Sequence, residues 1–174
     1  MKLLLLKLAL TLLVSIALAL PFFYPSVASG FLTEMKMLGV AGSLFVIALF
    51  LLLVFFYCKD LQKILELIKP ENRRTKPKSV WLMFLIPYNF IEDFFIIYHV
   101  SASLEREAKD NASLGDLTSN GSKSGIGWCA AQILSLLPGV LGQIAGVLAI
   151  VLWVVHWRFI RVTIQSLEVG HNRQ

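Results

Sequence analysis

Four polar side chains near the middle of one apolar stretch have the types and spacing that chemistry needs. The stretch is Trp81–Val100, WLMFLIPYNFIEDFFIIYHV, and the residues are Asn89, Glu92, Asp93 and His99. On a helix Asn89, Glu92, Ile96 and His99 fall at i, i+3, i+7 and i+10, so the three polar groups share one face. A charged side chain at the centre of a spanning helix costs about 2.5–3.5 kcal/mol on insertion scales, so this face looks at protein or water. Two chemistries follow. Adjacent carboxylates raise one another's pKa, and a buried acid with a histidine on its face can relay protons or bind cations. In the other, preferred account, either Pro87 interrupts the span so that the acids sit near the headgroups, or the acids pair with Lys, Arg or Gln of another helix and fix assembly. Gln132 and Gln143, in the last apolar region, are the best internal partners for this face. Asn89 follows Pro87 by two residues and can simply satisfy a carbonyl that the proline frees.

Nothing else in the chain points to a reaction. There is no Ser-His-Asp set, no cluster of His and Cys ligands, no HExxH and no Gly-rich phosphate loop. Catalysis, a metal and a cofactor are therefore not expected. Cys58 and Cys129 sit at the ends of apolar segments and read as small apolar residues. His156, beside Trp157 and Arg158, reads as an interfacial belt residue.

The elements that must position the polar face belong to a membrane protein. The 174 residues are 57% hydrophobic and only 16% charged, against roughly 45–50% and 25% in soluble domains. The mean hydropathy is +0.73. The apolar residues come in long runs, which implies an all-α, polytopic fold with a single integral membrane domain over residues 1–174. Four transmembrane helices are expected, at about 3–24, 38–58, 80–100 and 138–158, with amphipathic helical extensions. A basic loop, 59–79, and a polar loop, 101–125, connect them.

The first run also fits a signal peptide. It reaches Tyr24, though, beyond an h-region of about 7–15 residues, so it reads as a retained span. Pro21 and Pro25 break it, and Phe22, Phe23 and Tyr24 belong to an aromatic belt. The second span, Leu38–Cys58, is uncharged. After it KDLQKILELIK keeps Leu61, Ile64, Leu65 and Ile68 on one face, so the helix continues to Pro70. The third is expected to run on through SASLEREAKD. Ile126–Trp157 is too long for one span and is divided at Pro138-Gly139; the part over 127–137 is interfacial, re-entrant or part of a span. Gly39, Gly42, Ser43, Gly139, Gly142 and Gly146 are small enough to let neighbouring helices approach.

Charge orients the chain. Lys59, Lys63, Lys69, Arg73, Arg74, Lys76 and Lys78 crowd one loop, which places that loop in the cytoplasm. With both termini cytoplasmic, twelve Lys and Arg lie inside and four outside, the four being Lys36, Arg106, Lys109 and Lys123. Because the basic residues flank apolar runs, they suit a partner protein or lipid headgroups rather than nucleic acid.

WLMFLIPYNFIEDFFIIYHVSASLERE resembles the third helix of small bacterial four-helix membrane proteins with a W-L-x-F-I-P-x-x-N pattern and an S-L-x-x-E exit. The residues that carry the likeness are Trp81, Leu82, Phe84, Ile86, Pro87, Asn89, Phe94, Ser103, Leu104 and Glu107. The closing IVLWVVHWRFIRV looks like that group's aromatic-basic last helix. The Glu92-Asp93 pair departs from the pattern. The resemblance implies the architecture and a multi-pass place in a bacterial inner membrane, and brings no chemistry. The expected function is a non-enzymatic membrane subunit that self-associates, as a homo-oligomer, or docks a partner. The alternative is an oligomeric ion or proton channel or small transporter lined by the third helix.

Overall fold

The computed structural model describes residues 2–24, 37–111, 114 and 118–171. Pro25, Lys36, Arg173 and part of the polar loop lie outside the described residues. Among the described residues five α-helices follow one another: α1 (Lys2–Phe23), α2 (Gly39–Leu67), α3 (Asn89–Asp110), α4 (Thr118–Leu134) and α5 (Val140–His171). Short 3-10 segments cover Pro70–Asn72 and Pro77–Phe84. The described regular structure is all helical, as the composition implied. Three helices among the described residues, α1, α2 and α5, are long and apolar enough to cross a membrane.

Each of the two longest helices has two characters along its length. The most apolar window of α2 buries none of its residues. Beyond it the apolar residues narrow to a stripe, and Tyr57, Cys58, Leu61, Ile64 and Leu65 are buried. The helix runs unbroken across the end of the expected span, as its period required. In α5 the large apolar residues from Val140 to Val155 are mostly exposed, whereas Ile160, Ile164 and Leu167 are buried. The packed ends meet: Trp157 Nε1 donates to Asp60 at 2.7 Å, and Lys63 pairs with Glu168 at 2.6 Å. With Phe50 beside Trp153, these contacts show that α2 and α5 run parallel.

Helix α4 returns alongside α5, and two glycines set how closely. A Cβ at Gly121 would collide with Phe159, and one at Gly125 with Ile97 and His156. These are close-packing positions that the Gly142 and Gly146 spacing did not point to. Gly142 serves its own turn, where a Cβ would strike the Leu137 carbonyl oxygen. Gly139 allows that turn through a φ of +77°. Gly39 has a φ of +66° and nothing within reach of a Cβ, and Gly42 and Ser43 are half-buried.

The stretch 80–100 is not one helix, contrary to the single span expected there. It is a 3-10 segment, a turn through 85–88 that contains the cis Ile86–Pro87 bond, and the first turns of α3. Pro87 has no N–H to donate and restricts Ile86, so a continuous helix is interrupted here. The 3-10 leg lies along α2, with Trp81 Nε1 donating to Gln62 at 2.6 Å. Helix α3 then comes back toward the end of α2. Pro77–Asp110 is thus a hairpin whose returning leg closes on Lys69 and Arg74, and Leu82, Leu85 and Ile86 are exposed at its tip. Helix continuation through SASLEREAKD is as expected.

Ser103, Leu104 and Glu107, the exit pattern of the resemblance, close this hairpin. Ser103 Oγ accepts from Arg74 N–H at 2.8 Å and donates to His99 O at 2.7 Å. Leu104 is fully inside the core. Glu107, only 3% exposed, accepts from Lys69 N–H at 3.1 Å and Asn72 Nδ2 at 2.9 Å. Replacing Glu107 by Ala strands those donors and is expected to cost about 1–3 kcal/mol. Limited proteolysis of 69–78 in detergent measures it: Glu107→Ala should be cut faster than the native chain, and Glu105→Ala, on an exposed residue, should not.

Candidate functional site

The start of α3 brings the expected polar residues to the centre of the molecule and separates them. Consecutive helix residues are about 100° apart, so Glu92 and Asp93 face different neighbours. Glu92 meets α1: Lys7 Nζ lies 2.6 Å from its Oε2, and the two side chains are only 13% and 10% exposed. The same ammonium stands 4.0 Å from the centre of the Phe95 ring, so an aromatic face adds to the carboxylate's hold on it. Glu92 also lies in the first turn of α3, where a negative charge complements the helix dipole.

Asp93 turns the other way. It is 2% exposed, and among the described residues it makes no ion pair. It lines a cavity of about 30 Å³ together with Tyr57, Asn89, Trp128, Gln132 and Trp153. Five buried polar atoms of that lining have no hydrogen-bond partner: Tyr57 OH, Asn89 Oδ1, Asp93 Oδ1, Gln132 Oε1 and Trp153 Nε1. Asn89 thus keeps its side-chain oxygen unpaired among the residues of the cavity. The rings form a stiff frame: Tyr57 packs edge-on against Trp128 at 5.6 Å and against Trp153 at 5.8 Å.

The other sequence candidates are spread out. Gln132 joins the cavity, but Gln143 is exposed on α5. His99 is half-buried, and the cavity lining does not include it. His156 is not an interfacial belt residue: it is 1% exposed, with Nδ1 2.8 Å from the Gly121 carbonyl oxygen. Its Nε2 is buried without a partner. Cys58 and Cys129 are buried free thiols, as their setting suggested. Among the described residues no group of three or more His, Cys, Asp or Glu could hold a metal ion.

The seven basic residues divide by role. Arg73 donates to the Ile68 and Glu66 carbonyls at 2.8 and 2.9 Å, and so closes the end of α2. Lys63 is held by Glu168. Lys59, Lys69, Arg74, Lys76 and Lys78 are exposed. Sequence reasoning missed Lys7, Tyr57, Trp128 and Trp153 as parts of the site. The isolated ammonium at Lys7, inside an apolar helix, was the one available signal for an acidic partner.

Comparison with family models, with curated proteins and with solved structures finds no match to this chain.

The pair predicts an asymmetric mutational pattern. Lys7→Gln leaves Glu92 buried without its partner, and a loss of about 3–5 kcal/mol is expected. Lys7→Gln/Glu92→Gln removes both charges and should recover most of it. Thermal unfolding of the native, single and double variants in one detergent checks this. Additive losses would mean that the two side chains do not act as a pair.

Proposed function

We propose that this chain is a non-enzymatic membrane subunit that associates with itself or with a partner protein through a basic head on the cytoplasmic side of a bacterial inner membrane. The supporting observation is the division of α2 and α5 into bare apolar first parts and packed second parts, with exposed cations collected at the packed end. In this reading α1, α2 and α5 cross, and α4 with the turn after it crosses beside α5. That makes four crossings with both termini cytoplasmic. The Pro77–Asp110 hairpin enters the inner interface and returns, so the crossing assigned to 80–100 passes to α4.

Charge supports that topology. When the hairpin folds back, Arg106, Lys109 and Lys123 join the cytoplasmic side, and only Lys36 of the 16 Lys and Arg remains outside. A crossing at 80–100 leaves four outside, a weaker bias. The exposed Leu82, Leu85 and Ile86 then sit among lipid tails, and Lys59, Lys69, Arg74, Lys76 and Lys78 sit at and beyond the headgroups. Such a surface attracts an acidic protein face, or anionic lipid around it, in a salt-dependent manner. The apolar faces of α1, α2 and α5, including Gly39, Gly42 and Ser43, are available to lipid or to a second copy.

A second reading, an oligomeric ion or proton pathway, draws on the unpaired Asp93. A cavity of about 30 Å³ is no through-path in one copy, so this reading requires several copies around a shared axis.

Two experiments separate the readings. Changing the five exposed cations to Gln in the reconstituted chain should abolish the salt-sensitive binding of a polyglutamate probe, with helix content unchanged by circular dichroism. Equal binding by this variant would remove the docking reading. In proteoliposomes, proton and small-cation flux should equal that of empty vesicles for both the native chain and Glu92→Gln/Asp93→Asn. Flux that depends on the acids would establish the pathway instead.

A further inference from the structure

We infer that the cavity between α2, α3, α4 and α5 is a binding site for one small monovalent cation, an alkali ion or ammonium, with Asp93 as its counter-charge. The inference does not rest on the docking reading.

The first argument is charge. Glu92 has Lys7, and Asp93, beside it in sequence, has no cation among the described residues. A buried carboxylate without a partner either takes up a proton or acquires a counter-ion, because neither charge nor dipoles alone offset its desolvation. The second argument is the donor set. Asn89 Oδ1, Asp93 Oδ1, Gln132 Oε1 and Tyr57 OH are four oxygens, all buried and all without hydrogen-bond partners, and their residues all line the one cavity. Oxygen ligands of this kind suit hard cations. One carboxylate with neutral oxygens balances a single positive charge, and a divalent ion would remain undercompensated.

The third argument is size. A cavity needs roughly 10–15 Å³ to hold a water, so about 30 Å³ admits an ion of water size, with at most a single water beside it. The rest of the wall is mostly apolar and includes the rings of Tyr57, Trp128 and Trp153; aromatic faces attract cations while excluding anions. These rings also keep the walls from collapsing onto the acid.

The tryptophans in the wall report occupancy. The full chain in detergent is titrated with sodium, potassium and ammonium chloride at constant ionic strength, balanced with N-methylglucamine chloride, at neutral and alkaline pH. One saturable change in tryptophan fluorescence, present for at least one small cation and absent for N-methylglucamine, is expected. Asp93→Asn should abolish it, and Gln132→Leu should weaken it about tenfold. If Asp93→Asn does not fold, Asn89→Ala takes its place and the native chain's melting temperature is followed against the same salts. Responses to all small cations that match N-methylglucamine would overturn the inference and leave water, or a protonated Asp93, in the cavity. Saturation that persists in folded Asp93→Asn would overturn it too.

Discussion

Two carboxylates on consecutive residues, both enclosed by protein, are the constraint around which this structure closes. A helix directs neighbouring side chains to different faces, so one partner cannot serve Glu92 and Asp93 together. Glu92 is met by Lys7, and that contact gives α1 its main attachment, because α1 packs chiefly against α3 and buries only Val14. For a helix in lipid, apolar surface offers little drive to associate with a neighbour, since the tails are as apolar as leucine. A buried ion pair supplies what the leucines of α1 do not. Asp93 is directed instead toward a cavity to which α2, α4 and α5 contribute.

Much of the fold was legible because hydrophobic periodicity carries it. The uniform apolar run of α2 and its change to a stripe at Tyr57 follow from residue order alone, and so does the division at Pro138-Gly139. The misread element was Trp81–Val100. Its length and hydropathy match a crossing, and whether Pro87 kinks a helix or turns the chain back depends on what the returning strand of chain can hold on to. That information sits far away, in Lys69 and Arg74, whose backbone N–H groups reach Glu107 and Ser103. Likewise the polar face of α3 was visible, but its partners were not. Lys7, Tyr57 and Gln132 come from three other helices, and spacing within one helix says nothing about which of them will face it. The glycines show the same limit. Gly142 fits a packing motif and serves a turn, whereas Gly121 and Gly125, in a stretch that reads as loop, let α4 approach its neighbours.

The return of the chain at Pro87 also gives the polar half of α3 its partners. Its second half carries Glu105, Arg106, Glu107, Lys109 and Asp110, and Ser101, Ser103 and Glu107 are buried. Buried polar groups need partners, and they have them where α3 lies against the linker that follows α2. Without those partners the same groups would each cost free energy with nothing to offset it. The apolar residues that make the stretch look like a span, Leu82, Leu85 and Ile86, are instead concentrated at the tip.

The cavity is the place where this economy is left incomplete. Elsewhere in the packed region the tryptophans find acceptors: Trp81 uses Gln62 and Trp157 uses Asp60. Trp153, one turn before Trp157, finds none. A buried polar atom left unpaired costs about 1–3 kcal/mol, and five on one small surface is a cost that ordinary packing would remove by replacing them with apolar groups. The ring frame of Tyr57, Trp128 and Trp153 holds the walls apart, so the polar atoms cannot collapse onto one another. Together, a rigid frame, unpaired oxygens and one buried acid without an ion-pair partner are what the inferred cation would complete.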